Sequence, residues 1–350
     1  TGTWHSALNI WDIKTGKRLQ TIKEYSGSID RIAIEPKSST IATCSVCSNG
    51  FPSLFSAAKL SEESNEPAHY DKVITTKLLN DEKRAITVSS DMNSIVWNLE
   101  TGEKQTVYDC HRHLIYDIVV SKDDQIAYTG DLNGYIHSWQ TSTGTMVSQK
   151  RAHQSEVFGL DLSPDQKLLA SCGFDEEIRL HCARTLTEIC YWKGHDKWME
   201  SVHFTPDSKK LISFASDFEA RVWSIPDGEY LKTLTKEASP LHETIEFDVE
   251  SSTIFLGKLK GTIAAFDTTT LEKKLEYRNA LSQVTKLILN EKRQQIIASD
   301  TTGAITVWQI GQPEPIFQRR IATKGLRTIA TDKAHKILLT ASRGYRPKIE

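Results

Sequence analysis

Apolar and polar residues alternate along short segments of this chain, and polar turns separate one segment from the next. The clearest stretches are residues 116–133, 157–175 and 200–217, which read YDIVVSKDDQIAYTGDLN, VFGLDLSPDQKLLASCGFD and ESVHFTPDSKKLISFASD. Each stretch predicts two short strands joined by a turn rich in Pro, Asp, Lys and Ser. Because no helical pattern extends over about ten residues, the alternation predicts an all-β protein.

An aromatic residue recurs near the end of a predicted strand at almost constant spacing. Trp97 and Trp139 are 42 positions apart, and Trp139 and Trp223 are 84 apart, with His181 at the midpoint. The full series is Trp11, Phe55, Trp97, Trp139, His181, Trp223, Phe266 and Trp308. Each unit holds about four predicted strands and therefore forms one antiparallel sheet. One such sheet cannot bury both faces, whereas sheets stacked in a closed ring can, and the ring also limits exposed edges.

On these repeats the chain resembles the WD40-repeat β-propeller family over nearly all of its length. The family's repeat of about 40–45 residues matches the spacing. A literal Trp-Asp pair occurs at Trp11-Asp12, and a literal Gly-His pair at Gly194-His195, while other repeats carry substitutions there. The resemblance implies an all-β propeller of four-stranded antiparallel blades with degenerate repeats.

The resemblance also implies a buried hydrogen-bond relay of His, Ser or Thr, Asp and Trp within a blade. Two relays are complete, and they consist of His69, Thr87, Asp91 and Trp97, and of His195, Ser213, Asp217 and Trp223. Two are altered: His153, Ser171 and Asp175 are followed by His181 in place of Trp, and His111, Thr129 and Trp139 keep their spacing with Asn133 in place of Asp. A buried carboxylate needs such donors. His, Ser and Asp together also suggest a hydrolase triad, but repetition at a fixed spacing and the lack of a G-x-S-x-G motif favour a structural role.

The two ends of the chain decide the number of blades. Residues 23–320 hold seven complete units, residues 1–22 hold two further strands, and residues 321–350 hold two more. We expect one domain spanning residues 1–350, in which these end pieces combine into a split blade that closes an eight-membered ring. The alternative is seven blades plus parts of neighbouring blades.

Composition narrows the classes of function. The chain has 350 residues, with 43 Lys and Arg against 45 Asp and Glu, and a formal net charge of -2. This balance argues against a whole-protein nucleic-acid binder, which would need a basic surface. No apolar run has the length of a membrane span, and no basic segment followed by an apolar stretch indicates a signal peptide. The sequence does not begin with Met, so it is compatible with a segment of a longer chain. Such a chain could in turn be part of a complex.

No cofactor or metal is predicted. The six cysteines are few and irregularly spaced, so we expect reduced thiols and an intracellular location, cytoplasmic or nuclear. The single C-x-x-C at Cys44 and Cys47 lacks a second ligand pair for zinc. Phosphate-binding, dinucleotide-binding and H-E-x-x-H motifs are also missing.

Function is predicted to reside on the surfaces of the ring. On the family pattern, the residue before the relay Asp and those just before each first strand reach one face of the ring, and the candidate partner-binding residues there are Trp4, Tyr70, Arg112, His113, Phe174 and Trp198. Of these, Trp4, Phe174 and Trp198 are not needed by the repeat. The favoured interpretation is a non-catalytic protein–protein interaction scaffold, or the ligand-sensing propeller of a larger regulatory assembly, that binds proteins or peptides on a ring face. Two alternatives stay open: an RNA-associated propeller that uses basic residues 313–350, and an enzyme with carboxylates or His of perturbed pKa at one mouth of the central channel.

Overall fold

The computed structural model describes residues 5–12, 18–26, 28–34, 40–46, 53–56, 69–81, 83–239, 244–278, 282–322, 326–331 and 337–342. Within these residues the chain is β-strand throughout, apart from turns and one 3₁₀ helix at Glu291–Arg293. No helix in this described part is long and apolar enough to cross a membrane.

The strands, in chain order, are β1 (His5–Asp12), β2 (Arg18–Ser26), β3 (Ser28–Ile34), β4 (Thr40–Val46), β5 (Ser53–Ser56), β6 (Val73–Leu78), β7 (Arg84–Ser89), β8 (Ser94–Asn98), β9 (Lys104–Tyr108), β10 (Ile115–Val120), β11 (Ile126–Asp131), β12 (Tyr135–Gln140), β13 (Met146–Arg151), β14 (Val157–Leu162), β15 (Leu168–Gly173), β16 (Glu177–Cys182), β17 (Glu188–Lys193), β18 (Met199–Phe204), β19 (Lys210–Ala215), β20 (Ala220–Ser224), β21 (Tyr230–Thr235), β22 (Ile245–Asp248), β23 (Thr253–Gly257), β24 (Ile263–Asp267), β25 (Lys273–Tyr277), β26 (Val284–Asn290), β27 (Gln295–Asp300), β28 (Ala304–Gln309), β29 (Pro315–Arg320), β30 (Leu326–Thr331) and β31 (Ile337–Ser342).

The described strands pair into seven four-stranded antiparallel sheets and one three-stranded sheet. Sheet 1 has the order β2-β1-β31-β30, and sheet 2 has the order β3-β4-β5. Sheets 3 to 8 follow along the chain as simple meanders, namely β6 to β9, β10 to β13, β14 to β17, β18 to β21, β22 to β25 and β26 to β29. The meander is the consequence of the short polar turns, because an antiparallel pair needs only a hairpin connection.

Sheet 1 is the split sheet expected from the chain ends. Strand β1 pairs antiparallel with β31, with Ile10 opposite Leu339, so that the first and last strands share one sheet. Strand β2 continues to Ser26, four residues beyond the expected end at Ile22, because β1 begins at His5 and pairs with β2 up to that point. The fold class, an all-β propeller closed by a split blade, is confirmed.

The hydrophobic core lies between neighbouring sheets. Tyr128 and Ile136 of sheet 4, for example, pack with Val157, Leu160 and Leu169 of sheet 5. Full burial of one such aliphatic side chain stabilises the fold by about 1.5–3 kcal/mol. Neighbouring sheets therefore face each other, and the first strands of several neighbouring sheets contact one another, as β10 contacts β14 and β14 contacts β18.

Candidate functional site

The relays of sheets 3 and 6 form continuous hydrogen-bond chains. In sheet 3, Nδ1 of His69 lies 2.9 Å from Oδ2 of Asp91, and its Nε2 lies 2.7 Å from the hydroxyl of Thr87. Nε1 of Trp97 donates to the same hydroxyl at 2.8 Å. Because an ionised carboxylate only accepts, Nδ1 carries the proton, and Nε2 accepts from Thr87.

Sheet 6 repeats this geometry with a serine in place of the threonine. His195 contacts Asp217 and Ser213 at 2.8 Å each, and Trp223 donates to Ser213 at 2.8 Å. His195 and Ser213 are almost completely buried. The His nitrogens in both sheets are thus buried and hydrogen-bonded inside the blade.

Sheet 5 keeps the first half of the relay and loses the second. His153 contacts Asp175 at 2.8 Å and Ser171 at 2.8 Å. His181 stands at the Trp position, is 1% exposed, and neither of its ring nitrogens has a hydrogen-bond partner in the described part of the chain. Burial, together with the nearby His153, lowers the pKa of His181 to about 4, so this ring is neutral at ordinary pH.

Sheet 4 requires two corrections to the expected relay. His111 contacts Asp131 at 3.0 Å and Thr129 at 2.7 Å, so the carboxylate is supplied two residues before Asn133. Asp131 lies at the end of β11 and also accepts from the turn that follows, which lets it reach His111. The expected bond from Trp139 to the hydroxyl is not formed either: Nε1 of Trp139 has no hydrogen-bond partner among the described residues.

Trp139 takes part in a ring stack. The ring of Tyr108 lies parallel to that of Trp139 at 4.8 Å, and the hydroxyl of Tyr108 is 2.8 Å from Nδ1 of His137. His137 in turn stacks on His111, with 3.8 Å between ring centroids. Two additional aromatic side chains, which the repeat pattern did not predict, therefore occupy this blade.

Among the described residues, one group of side chains has the spacing needed to bind a metal ion. It consists of His111, Asp131 and His137, whose potential ligand atoms lie within 4.8 Å of one another. Both nitrogens of His111 are already hydrogen-bonded, and Nδ1 of His137 is engaged by Tyr108. A metal ion would have to displace these bonds. The cluster is better explained as a buried hydrogen-bond network.

The relay aspartates are ionised by their surroundings. Burial alone raises the pKa of Asp91, Asp175 and Asp217, but hydrogen bonds from the His side chains and backbone N–H groups outweigh it. The net pKa of each carboxyl is lowered. Asp131 behaves in the same way with His111. The relay role of these residues in stability stays a prediction.

The relays lie under one face of the ring, where three neighbouring sheets present large side chains at the mouth of the channel. The backbone sets their position: the N–H of Phe174 donates to the carbonyl of Glu156 at 3.1 Å, and the N–H of Ser216 donates to that of Trp198 at 3.1 Å. The turn after the second strand is thereby fixed beside the residue before the first strand. Phe174 and Trp198 consequently lie on the same face.

A bulge in each first strand adds a second set of side chains at this mouth. The pairing of β10 with β11 skips Tyr116, that of β14 with β15 skips Phe158, and that of β18 with β19 skips Glu200. The bulged residue is not paired with the neighbouring strand, and the bulge changes the direction of its side chain. Since β10, β14 and β18 are neighbours around the channel, these three residues occupy equivalent places side by side.

The aromatic side chains at the mouth form one cluster around Phe158. The ring of Phe158 lies 4.8 Å from Tyr116, 5.7 Å from Trp198 and 6.5 Å from Phe174, measured between ring centroids. The interplanar angles are 76°, 61° and 70°, so the rings meet edge to face. Phe174 remains 52% exposed and Trp198 37% exposed, which is a large apolar area to leave in water.

Two carboxylates lie next to the aromatic cluster in the chain: Glu156 directly precedes β14, and Glu200 is the bulge residue of β18. Glu156 raises the pKa of Tyr116, together with the larger effect of burial, so its charge lies near the Tyr116 hydroxyl. Burial raises the pKa of Glu200 to about 7. Within the described residues Glu200 forms no ion pair or hydrogen bond, whereas Glu156 accepts from the hydroxyl of Ser155.

Only some of the candidate binding residues belong to this mouth cluster, which we define as Tyr116, Phe158, Phe174 and Trp198. Tyr70 is 81% exposed on sheet 3, and its backbone N–H donates to Asp91. Arg112 is exposed, and His113 pairs with Asn133 at 2.8 Å. Trp4 lies outside the described residues. Sequence reasoning missed Tyr116, Phe158 and Glu200.

A carboxylate in the first strand of sheet 5 also has a raised pKa. Burial raises the pKa of Asp161 to about 7. Its oxygens accept from the backbone N–H groups of Phe204 at 2.6 Å and Leu162 at 3.0 Å. Asp117 accepts from Leu160 in the same way at 2.8 Å. These carboxylates satisfy the unpaired edges of neighbouring first strands, which is a structural use of the groups that an enzyme would need.

Comparison with known proteins supports the repeat assignment. The family model WD40, described as "WD domain, G-beta repeat", matches residues 144–182 and 186–224, which include Phe158, Phe174, Trp198 and Glu200. The resemblance to this family is confirmed for two consecutive repeats. No curated protein matches the chain.

Solved structures confirm the fold of the larger part of the chain. A computationally designed protein, Ika8, superposes with a TM-score of 0.76 at 18% sequence identity, and the match covers 91% of this chain and 97% of the designed one. At this identity the likeness concerns the fold. WD40 repeats generally mediate protein–protein interactions.

Proposed function

We propose that this chain is a non-catalytic interaction module that docks a protein or peptide segment on the mouth cluster of sheets 4 to 6. The observation that carries the proposal is the exposure of Phe174 and Trp198 around a shared ring, Phe158. Partly exposed aromatic side chains in one cluster are typical of the centre of a binding surface. The intracellular location predicted from the cysteines stays part of this proposal.

The relays support docking because they hold the loops that carry the cluster. Phe174 directly precedes Asp175, which is bound to His153. Trp198 follows His195 by three residues, and His195 is bound to Asp217. Loops that are ordered before binding lose less conformational entropy when a partner arrives. The surface is thus preorganised, and the buried His and Asp side chains serve it indirectly.

The mouth favours a protein partner over RNA. Phosphates require basic side chains, and the charged groups beside the cluster are the two carboxylates of Glu156 and Glu200 against one ammonium group, that of Lys197. An enzyme is the other alternative, and the carboxylates that favour it are Glu200 at the mouth and Asp161, whose pKa values are both raised to about 7. The bonds of Asp161 to the backbone of neighbouring strands favour a structural role for that group, and Glu200 is hydrogen-bonded to no second acid or base within the described residues.

The test uses peptides selected from a random display library against the purified chain. Their dissociation constants are then measured by calorimetry for the wild type, for Phe174→Ala/Trp198→Ala, and for Tyr191→Ala. Tyr191 is 56% exposed on the outer strand β17 and serves as a matched control away from the mouth. We expect at least about tenfold weaker binding for the double variant, as for loss of hot-spot residues, and unchanged binding for the control. Peptides that are indifferent to the mouth substitutions would contradict the proposal.

A further inference from the structure

We propose that the partner inserts a positively charged side chain, from lysine or arginine, into the mouth cluster between its aromatic rings and the carboxylates of Glu156 and Glu200. This inference rests on the proposed docking function and specifies the chemistry of the partner as a basic peptide segment. It follows from the arrangement of rings and charges on sheets 4, 5 and 6, taken in three steps.

The first step is the geometry of the rings. Tyr116, Phe174 and Trp198 each approach Phe158 at a steep angle, between 61° and 76°. Rings at such angles do not form one flat stack. A cation within about 6 Å of an aromatic centroid is attracted by the negative face of the ring, and Trp is the most favourable partner. Trp198 keeps 37% of its surface exposed, so a ligand side chain can reach it.

The second step is the charge around the rings. Glu156 precedes Phe158 by two residues, and Glu200 follows Trp198 by two and occupies the bulge equivalent to Phe158. Neither carboxylate forms an ion pair with a basic side chain within the described residues. Lys197, beside Trp198, is exposed and shows no ion pair in the same part of the chain. A partner's cation would supply the missing counter-charge.

The third step is the choice between an apolar and a cationic side chain. Glu200 is partly buried and lacks a hydrogen-bond partner in the described part of the chain, and this burial disfavours its charged form. An apolar ligand would remove more water from Glu200 and increase that cost. A cation offsets it, because an opposite charge within about 4–6 Å favours the ionised carboxylate. The carboxylates therefore select a basic side chain where the rings alone would accept either.

The experiment takes library peptides that depend on the mouth cluster and replaces each basic residue by norleucine, which keeps the length of a lysine stem and removes the charge. Calorimetry is performed with the wild-type chain, Glu200→Gln and Glu250→Gln, the last being an exposed glutamate in the turn after β22. We expect one norleucine replacement, and Glu200→Gln, each to weaken binding about tenfold or more, and Glu250→Gln to have no effect. Thermal unfolding checks that Glu200→Gln remains folded.

The outcomes separate this inference from the function on which it rests. Norleucine peptides that bind as tightly as the originals overturn the basic ligand while docking at the mouth stands. Unchanged affinity in Glu200→Gln at low salt also overturns it, because the carboxylate would then contribute nothing. Peptides that ignore Phe174→Ala/Trp198→Ala overturn the docking function itself.

Discussion

Sheets 5 and 6 are consecutive repeats matched by the same family model, yet their relays differ at one position. In sheet 6, Trp223 completes the chain of hydrogen bonds through Ser213. In sheet 5, His181 stands in its place with both nitrogens unpaired in the described residues. The hydrogen bond between the His Nδ1 and the Asp carboxylate is the same in both sheets, with a length of 2.8 Å. The difference shows that the relay has two parts that can be lost separately.

The His–Asp hydrogen bond, which both sheets keep, is the part of the relay that supports the mouth cluster. The bond from His153 to Asp175 ties the loop before β14 to the turn that carries Phe174. The Trp half lies further along the blade, where the indole N–H donates to the hydroxyl of the second strand and the ring packs against Trp192 and Tyr230. The surface of sheet 5 can therefore remain ordered although its relay is incomplete. Stability and binding should respond to different substitutions.

The largest expected effect is the loss of a relay carboxylate. Asp217→Ala leaves His195 and the N–H of Glu219 without their acceptor, whereas Arg221 keeps the carboxylate of Glu219 and the carbonyl of Gly194 as partners. Each buried group left unsatisfied costs about 1–3 kcal/mol. Thermal or urea unfolding should show a clear loss of stability, and Asp91→Ala should act alike in sheet 3.

Asp267→Ala is the matched control for that loss. Asp267 accepts from the exposed N–H groups of Thr269 and Thr270 and pairs with Lys274 at 3.1 Å, and water can satisfy these groups after the substitution. Its effect should be much smaller. The pKa of Asp217 is lowered in the folded state, so its contribution is present above the unfolded value near 4 and is lost as the pH falls through the folded value. Equal destabilisation by both substitutions at pH 7 would refute the relay role.

The next effect tests the position at which the two sheets differ. His181→Trp should place an indole where Trp223 lies in sheet 6, with Leu169 replacing Leu211 as its strand partner. The indole N–H can then donate to Ser171, and two unpaired nitrogens disappear. We expect a gain of about 0.5–2 kcal/mol, as for other substitutions toward the consensus of a fold.

The pH dependence of that gain has a definite sign. The folded pKa of His181 is about 4, below the unfolded value of about 6.5. Between these values the unfolded chain binds the proton more readily, so the wild type loses stability as the pH falls from about 6.5 toward 4. The advantage of His181→Trp should therefore be larger at pH 5 than at pH 8. A smaller advantage at pH 5, measured by urea unfolding, would contradict the burial of a neutral ring.

Much of the fold was predictable because it depends on periodicity. The spacing of about 42 residues and the alternation of apolar residues specify strands, sheets and the split sheet at the ends, and the relays of sheets 3 and 6 follow at a fixed distance from each aromatic residue. Phe174 and Trp198 were also identified as side chains that the repeat does not need.

The remaining features depend on single residues that break the period. Asp131 reaches His111 because it ends a strand two residues before the expected position, and Trp139 stacks on Tyr108 without a hydrogen bond to the relay hydroxyl. Phe158 and Glu200 are directed to the mouth by bulges, which alternation cannot show because a bulge interrupts it. The sequence does contain a signal for Tyr116 and Phe158, because each is an aromatic residue at the second position of the first strand of its sheet, in IYDIVV and VFGLDL.

The smallest expected effect compares the Trp residues of sheets 3 and 4. Nε1 of Trp97 donates to Thr87 at 2.8 Å, whereas Nε1 of Trp139 has no partner among the described residues. Both rings are buried, at 5% and 0% exposure, so Trp→Phe removes a similar apolar volume at each site. The two costs should then differ by the net value of one hydrogen bond, about 0.5–1.5 kcal/mol, with Trp97→Phe the more destabilising. Urea unfolding of both variants and of Trp223→Phe measures the difference. If Trp139→Phe costs as much as the other two, the indole N–H of Trp139 has a partner after all, and the relay of sheet 4 is closed like those of sheets 3 and 6.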